Sequence, residues 1–377
     1  MSSPVAAWGI DVGHCVLKAV RLRAAGDALE VEACHAIEHG ANVAGPGADR
    51  VGILRDAVGT LRSRADLGDL PVVVSVAGTD SLCRFVSLPP VDRERVGDLV
   101  DFEARQQIPF PIDEAAWRWQ FLSEGQGDDG DGLDVVILAV RRDEVAEVMA
   151  PFTDHAVAVS AVQMRPVALY NLLRGDGLEG EQGATLLADV GAQGIEFVVA
   201  DGRRIWAHAV DFGADRLTDA LALALDVPFP RAEAIKRSAT GTDAEDVCRA
   251  AEMPVNEIVL EFRRCVDNYE AIPGGSSIAR VVAVGNGLSL PGLREAIEWC
   301  LEIQVDRLGA YHRIRATDAP ETAGFRDAPG GFAVACGLCL QGLGLAAVDV
   351  DFLPSRREES GAVRRMADRL LGRLRNP

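Results

Sequence analysis

The sequence predicts an α/β protein built from two related lobes, with a smaller α+β subdomain inserted into the first lobe. Its length of 377 residues exceeds the usual size of one domain and indicates two or three. A strand–turn–strand pattern with Asp-Val-Gly in the turn occurs at 11–13 and again at 189–191, once in each half. Between these patterns, residues 82–160 have the pattern of short strands and helices.

Composition and charge exclude several classes of protein. Apolar residues make up 48% of the chain and charged residues 25%, a balance typical of soluble globular proteins. The net charge of −19 repels phosphate backbones, so nucleic-acid binding is not expected. The first seven residues lack the basic flank of a signal peptide. Glycines interrupt the longest apolar stretch, 332–348, which therefore predicts a buried helix rather than a membrane span.

Cysteine and lysine usage is informative in different ways. The eight cysteines are scattered, which fits a reducing cytosol. Cys336 and Cys339 lie in an apolar run without a nearby histidine, so we expect small core residues rather than a redox or zinc site. Only Lys18 and Lys236 are lysines among 38 basic residues, which hints at a need for a compact ammonium group, although chance would explain either one alone.

The first lobe is predicted at residues 6–81. Alternation of apolar and polar residues predicts half-buried strands, and a dense apolar run predicts a buried strand. Apolar residues at helical spacing predict a helix. The predicted elements are a strand–turn–strand at 7–22, a strand at 31–37, a helix at 51–64 and a buried strand at 71–77.

The insert, residues 82–160, is predicted to be a compact mixed subdomain. Its amphipathic helix must end at 108–111, because the two prolines there cannot continue a helix. An acidic loop at 125–132 separates its last two strands. The predicted elements are strands at 82–88, 116–122 and 134–140, and helices at 92–107 and 143–150.

The rest of the chain is predicted to form an interlobe stretch, the second lobe and a tail. Residues 161–183 carry a helix and return the chain to the first lobe, and 347–377 form the tail. The second lobe spans 184–346, with a mainly helical part at about 215–278. Its other predicted elements are a strand–turn–strand at 185–205, a strand at 279–284, a helix at 290–301, a loop at 317–331 and a last apolar helix at 332–345.

Each Asp-Val-Gly turn has the chemistry of a phosphate site. Backbone N–H groups at a glycine turn can surround phosphate oxygens, a carboxylate can hold Mg²⁺ through water, and a lysine adds a point charge. Asp11, Gly13 and Lys18 offer this set in the first lobe, and Asp189 and Gly191 offer the turn and acid in the second. Two ordinary hairpins would explain each turn, but not the recurrence.

A third glycine turn, Gly285-Asn286-Gly287, follows a predicted buried strand and precedes a helix. Such a turn lets a flat ligand approach the backbone closely and presents a helix N-terminus. An ordinary connection between a strand and a helix is the alternative.

With these motifs in place, the chain resembles the type IV pilus assembly protein PilM family of the actin-like ATPase superfamily. Residues 9–18 resemble the first phosphate loop, 187–191 the second, and 284–293 the adenosine loop. The sequence Ala-Glu-Ala-Ile-Lys at 232–236 is similar to a helix that contacts adenosine in bacterial actin homologues. The most specific match is 103–114, which is similar to the E-x-x-Q-x-I-P-F-P-x-x-E signature of PilM.

The resemblance covers roughly residues 6–346 and implies a two-lobed actin-like fold, in which a ribonuclease H-like unit is duplicated. The first lobe would carry a 1C-type subdomain like that of the division protein FtsA. The implied cofactors are ATP or ADP with Mg²⁺, which Asp11 and Asp189 would hold through water. The implied nucleotide contacts are Asp11, Gly13, His14, Lys18, Asp189, Gly191, Gln193, Glu233, Lys236, Gly285, Asn286 and Gly287.

The resemblance also implies partners and a location. It implies a cytoplasmic scaffold, peripheral to the inner membrane, that binds the N-terminal peptide of a PilN-like membrane protein beside other platform proteins. The implied peptide groove lies between the 1A and 1C subdomains. A pilus platform and a related secretion platform would share this signature.

Three segments depart from the family pattern. His14 and Cys15 replace two small hydroxyl residues of the first phosphate loop, and the second loop lacks a hydroxyl near Gln193. The segment before the interlobe helix usually reads D-x-E-P but is Gln-Met-Arg-Pro at 163–166, and arginine cannot act as a base near neutral pH. We therefore expect nucleotide binding with slow or absent hydrolysis. A chain that binds no nucleotide is the alternative, as is a His14 that donates to phosphate.

The tail contains two distinct segments. Residues 350–354, Val-Asp-Phe-Leu-Pro, look like the Ile-Asn-Leu-Leu-Pro peptide by which PilN engages PilM. They either occupy the partner groove or form an ordinary extended exit segment, the interpretation that we favour. Residues 362–375 predict an amphipathic helix with five arginines and one aspartate, suited to an anionic membrane surface, a partner helix or the protein's own acidic flank.

Two other functions remain open at the level of sequence. A small-molecule kinase of the same superfamily needs a carboxylate base facing a substrate pocket, and the sequence has no such signature. An FtsA-like membrane-associated division or filament protein needs a polymerisation surface, which the sequence does not reveal. The signature at 103–114 favours the scaffold over both.

Overall fold

The computed structural model describes both lobes and the insert. Within these ranges, no helix is long and apolar enough to cross a membrane. The predicted loop at 125–132 and the predicted basic helix at 362–375 lie outside the described residues. The described residues are 4–39, 48–79, 81–89, 91–122, 133–180, 182–238, 247, 249–285, 287, 290 and 292–354.

A six-stranded mixed sheet forms the first lobe. From edge to edge its strands are β14 (Ile314–Ala316), β3 (Ala28–Glu38), β2 (Val16–Ala25), β1 (Ala6–Val12), β4 (Val72–Val76) and β8 (Ala161–Met164). β1, β2 and β3 are antiparallel, whereas β4 and β8 continue from β1 in parallel. β14, from the second half of the chain, pairs in parallel with β3.

An eight-stranded sheet runs through the second lobe and into the insert. From edge to edge its strands are β13 (Val305–Arg307), β12 (Ile278–Val284), β9 (Ala184–Val190), β10 (Ile195–Asp201), β11 (Arg204–Val210), β5 (Leu82–Leu88), β7 (Leu133–Arg141) and β6 (Ala115–Phe121). The antiparallel pairing of β11 with β5 joins the two parts, at Trp206 opposite Arg84. The insert therefore extends the sheet of the second lobe, although it follows the first lobe in the chain.

Helices cover the faces of both sheets. α1 and α3 pack against each other beside the first sheet, and α5 packs against α6 in the second lobe. The described helices are α1 (Arg50–Arg64), α2 (Val96–Gln107), α3 (Arg142–Asp154), α4 (Arg165–Gly175), α5 (Asp215–Leu225), α6 (Phe229–Ser238), α7 (Glu252–Glu270), α8 (Leu293–Leu301), α9 (Ala323–Asp327) and α10 (Ala333–Gly342).

α10 is the buried helix that the sequence predicts. Its residues are apolar on every side and are buried from Ala333 to Gln341, which is the pattern of a core helix. It crosses α4 so closely that a Cβ at Gly337 would lie 1.8 Å from the carbonyl oxygen of Ala168, so only glycine fits. The thiols of Cys336 and Cys339 lie in this core, as expected for structural cysteines.

The strands and helices that strong periodicity predicts are present, whereas several other elements were missed. The strand–turn–strand predicted at 185–205 covers β9 and β10 but misses the seven-residue β11 (Arg204–Val210). β8, β13 and β14 have three or four residues each and gain their form from pairing with neighbouring strands. The prediction of a structureless loop at 317–331 was wrong, since it contains α9 between two short 3₁₀ turns. Elements this short carry too few residues for periodicity to reveal them.

Candidate functional site

The two Asp-Val-Gly hairpins repeat their geometry at the interface of the lobes. Asp11 lies near the end of β1, opposite Lys18 on β2. Asp189 lies near the end of β9, opposite Glu196 on β10. In each hairpin the partner follows the aspartate by seven residues, but it is a cation in the first and an acid in the second. All three carboxyl groups are buried.

Arg165 joins the two hairpins. It is the first residue of α4 and follows directly on β8. Its Nη1 donates to Asp11 Oδ1, its Nη2 donates to Asp189 Oδ2 at 2.7 Å, and its Nε donates to Glu196 Oε1 at 2.8 Å. Each guanidinium nitrogen thus contacts a different carboxyl group, and only 14% of the side chain is exposed. A charge-assisted network of this kind needs the fixed fork of arginine.

The protonation of this cluster follows from burial and charge. Burial lowers the pKa of Arg165, but the carboxylates of Asp11, Glu196 and Asp189 raise it more, so the guanidinium remains charged. The pKa of Glu196 is raised to about 7, chiefly by burial and also by the charges of Asp189 and Asp11, against the opposing effect of Arg165. One guanidinium faces three carboxyl groups, and Glu196 Oε2 is buried without a hydrogen-bond partner among the described residues. Protonation of Glu196 reduces the excess negative charge of this cluster.

Hydrogen bonds within the protein also fix Lys18 and Asp11 of the predicted first phosphate loop. Lys18 Nζ donates to the carbonyl of Gly331 at 2.6 Å, in the turn before α10. Ser75 donates to Asp11 Oδ1 at 3.2 Å, and it accepts from the backbone of Val12 at 2.9 Å. Burial, with help from Arg165, lowers the pKa of His14 to about 4, so this ring is neutral at pH 7. A neutral ring can donate to phosphate but brings no positive charge.

The second phosphate loop is closed by internal hydrogen bonds. The amide of Gly191 donates to Gly194 at 2.9 Å, and the carbonyl of Gly191 accepts from Ala214 at 2.9 Å. Gln193 Nε2 donates to Asp215 Oδ2 at 2.5 Å, at the start of α5. The loop therefore lies directly before a helix N-terminus, where anions are favoured.

The predicted adenosine contacts lie on α6 and are paired with each other. Lys236 Nζ lies 2.7 Å from Glu233 Oε2 and donates to Thr218 Oγ1 on α5 at 2.7 Å. Thr218 in turn donates to Glu233 at 2.6 Å. Burial raises the pKa of Glu233, but the hydrogen bonds from Lys236, Thr218 and Arg237 and the charge of Lys236 together outweigh it, so the pKa is lowered. The two lysines of the chain thus bind different elements, Lys18 the turn before α10 and Lys236 helix α5.

The glycine turn after β12 packs against the second phosphate hairpin. Gly285 has a φ of +80°, and a Cβ there would lie 2.3 Å from Asp189 Oδ1 and 2.8 Å from the carbonyl of Val190. Gly287 is similarly close to Val190. The turn thus needs glycine for contact with its own chain, whatever ligand it meets. Asn286 lies outside the described residues.

The residues do not fit the predicted Mg²⁺ site. Mg²⁺ requires oxygen ligands free to hold it or its waters in octahedral geometry. Asp11 and Asp189 are instead both bound by Arg165. Across the described ranges, no three His, Cys, Asp or Glu side chains are grouped as a metal site.

Sequence reasoning identified Asp11 and Asp189 but missed the groups that connect them. Arg165 was noted only as the replacement of an acid, and Glu196 was not singled out. The repeat itself held a signal for Glu196, since it follows Asp189 by the same seven residues that separate Lys18 from Asp11. No local pattern shows that Arg165 reaches both hairpins.

The tail segment, residues 348–354, forms a second feature, away from the Arg165 cluster. It contacts both the first lobe and the insert. Phe352 is 1% exposed, and its amide donates to the carbonyl of Val162 on β8 at 3.0 Å. From the other side, Arg118 Nε on β6 donates to the carbonyl of Asp351 at 3.1 Å.

Further polar side chains hold the tail segment in place. Gln163 Nε2 donates to the carbonyl of Val350 at 2.8 Å. Asn171 and Val348 exchange two hydrogen bonds of 2.9 Å. The segment is not a strand, and side chains make most of its hydrogen bonds.

Comparisons with known proteins agree with this architecture. A family model described as "Type IV pilus assembly protein PilM" matches residues 9–343. A solved PilM-PilN type IV pilus biogenesis complex is similar over 89% of this chain and 98% of that chain, with 20% identity and a TM-score of 0.74. The ethanolamine utilization protein EutJ from Carboxydothermus hydrogenoformans is similar over 89% and 90%, with 13% identity and a TM-score of 0.51. No curated protein sequence matches the chain. The predicted two-lobed actin-like fold is confirmed.

Proposed function

This chain belongs to the type IV pilus assembly protein PilM family, and we propose that it is a cytoplasmic scaffold at the inner-membrane platform of a type IV pilus or a related secretion machine. The observation that carries the proposal is the family match over residues 9–343, which includes the insert with its signature at 103–114. The described chain presents an adaptor's architecture, in which an additional subdomain extends the sheet of an actin-like lobe.

The proposed partner is the N-terminal peptide of a PilN-like membrane protein. β8 is one of the two edge strands of the first sheet and β6 one of the two of the second, and each contacts the tail segment. Edge strands and the groove between them suit an extended peptide, whose backbone groups need partners. The tail segment has a sequence similar to such a peptide, and we propose that the buried residues Val348, Val350 and Phe352 occupy the groove that the partner would use. It therefore competes with the partner in cis, which reverses our preference for an ordinary exit segment.

The signature of the insert offers a separate surface for other platform proteins. Residues 108–112 and Arg105 line an open depression of about 490 Å³. Phe110 lies beneath Arg141, whose guanidinium is 5.6 Å from the ring centroid. Pro109 and Pro111 are exposed there beside the half-buried Phe110 and Ile112, and we propose this depression as a contact for a protein partner. The basic segment 362–375 remains a proposed contact for anionic lipid.

The cleft between the hairpins is the proposed site for ATP or ADP, with slow or absent hydrolysis. Lys18 lies opposite Asp11 in the first hairpin, Lys236 is bonded to Thr218 on α5, and the N-terminus of α5 follows the predicted second phosphate loop. Hydrolysis needs a base to orient water, and the described carboxyl groups at the hairpins are bound by Arg165. The same argument weighs against the kinase alternative.

A labelled Ile-Asn-Leu-Leu-Pro peptide tests the partner proposal by fluorescence anisotropy, with a scrambled peptide as the control. We expect binding to the full chain and at least about ten-fold tighter binding to a chain ending at residue 347, because an attached competitor has a high effective concentration. Phe352→Ala should tighten binding in the same direction without truncation. Equal affinity for all three proteins would contradict competition, and no binding to any folded variant would contradict the peptide site itself.

A further inference from the structure

We propose that Arg165 is a built-in cation that takes the place of a divalent metal in the interlobe cleft and holds the two lobes together. The inference goes beyond the proposed function, because it holds whether or not the cleft binds a nucleotide.

The geometry assigns one guanidinium nitrogen to each carboxyl group. Asp11 belongs to the first lobe, whereas Asp189 and Glu196 belong to the second. Glu196 Oε1 also accepts from the amide of Gly78 at 3.3 Å, which adds a second connection to the first lobe. The cation therefore lies where a metal shared by Asp11 and Asp189 would have to lie.

The position of Arg165 shows that these carboxylates determine its orientation. A cation in the first turn of a helix is opposed by the helix dipole, so α4 itself does not favour arginine there. Its burial also costs free energy unless charged partners compensate. Three carboxyl groups supply that compensation. Lys18 and Lys236 cannot replace it, since their ammonium groups bind Gly331 and the α5–α6 pair.

Two consequences distinguish a built-in cation from a metal site with an arginine nearby. A divalent ion can reach Asp11 and Asp189 only if the guanidinium leaves, so the wild-type cleft has low affinity for Mg²⁺. With Arg165 present, the three carboxyl groups are arranged around the guanidinium and do not form a metal site. Removal of Arg165 leaves them buried without a cation, and we expect them to move together onto a metal ion instead.

Mn²⁺ alone, with the free ion measured by electron paramagnetic resonance, tests the proposal on the full chain. The variants are Arg165→Ala and, as a matched control on the same helix, Arg174→Ala, since Arg174 pairs with Glu179 away from the hairpins. We expect Arg165→Ala to bind one Mn²⁺ at least about ten-fold more tightly than wild type, and a further Asp189→Asn change to abolish the gain. Arg174→Ala should match wild type.

Two results would overturn the proposal. One is a wild-type Mn²⁺ site that Asp189→Asn removes, and the other is equal binding by Arg165→Ala and Arg174→Ala. Should Arg165→Ala fail to fold, wild type against Asp189→Asn decides alone. Identical Mn²⁺ binding by these two proteins supports the proposal, and a loss of binding overturns it.

Discussion

Lys18 and Glu196 occupy equivalent positions in the two repeated hairpins. Each lies directly across the hairpin from the aspartate of its Asp-Val-Gly turn. The first hairpin thus holds an acid and a base, whereas the second holds two acids. Arg165, from outside the repeat, supplies the cation that the second hairpin lacks. The duplicated fold is therefore electrostatically unequal in its two halves.

The raised pKa of Glu196 predicts that stability falls as pH rises. The folded state holds a proton up to about pH 7, whereas the unfolded chain releases it near 4.5. Stability is therefore lost between these two pH values, by at most about 3 kcal/mol, and the loss is absent below pH 4.5. The side chain of Glu196→Gln cannot ionise. The free energy of unfolding of this variant should therefore increase relative to that of wild type between pH 5 and pH 8. Urea unfolding at both pH values measures this, and parallel profiles would rule it out.

The lowered pKa of His14 predicts the opposite dependence of stability on pH. Its pKa is lowered to about 4 in the folded state from an ordinary 6.5, so the unfolded chain takes up the proton first. Stability is lost as pH falls from 6.5 to 4, by at most about 3 kcal/mol. His14→Asn should lose less stability than wild type over this range in thermal unfolding at constant ionic strength. A variant that loses as much as wild type would show that the ring is not buried neutral.

The position of Lys18 in the first hairpin leads to a prediction about ATP affinity. If the cleft binds ATP, loss of the ammonium group should weaken binding by at least about ten-fold, since a charge-assisted contact contributes 1.5–3 kcal/mol. Calorimetric titration of ATP, with and without Mg²⁺, into wild type and Lys18→Ala measures this. Arg21→Ala is the matched control, because Arg21 lies on the same strand but pairs with Glu32. Equal ATP affinity in wild type and Lys18→Ala would place the nucleotide elsewhere.

Failure of ATP to bind wild type has a separate meaning. It would identify the chain as a nucleotide-free adaptor that retains the fold for its peptide groove. The Arg165 test would be unaffected, because it uses the metal alone.

We expect Gly285→Ala to lower the free energy of unfolding through steric contacts as well as through its unfavourable backbone conformation. The φ of +80° costs an alanine about 1–2 kcal/mol, and contact of its Cβ with Asp189 and Val190 adds about 1–3 kcal/mol. Gly202→Ala is the control, since Gly202 has a φ of +58° in the β10–β11 turn but open space around a Cβ. Chemical unfolding should show the larger loss for Gly285→Ala. Equal losses would mean that the turn moves away from the second hairpin at little cost.

Local sequence patterns were sufficient to predict much of the fold and part of the site. Repetition of the Asp-Val-Gly turns located both hairpins, and the continuous apolar run located α10. The pairing of β11 with β5 could not be foreseen, because it joins residues more than a hundred positions apart. The Arg165 cluster escaped prediction for the same reason, since Asp11 and Arg165 meet only after three strands have been assembled into a sheet.

The second hairpin and strand β6, which contacts the tail segment, belong to the same eight-stranded sheet. The insert is hydrogen-bonded to the second lobe through β11 and β5, whereas β8, which also contacts the tail segment, belongs to the first lobe. Arg165 and the tail segment are therefore two separate connections between the same pair of sheets. A variant that loses one of these connections still retains the other.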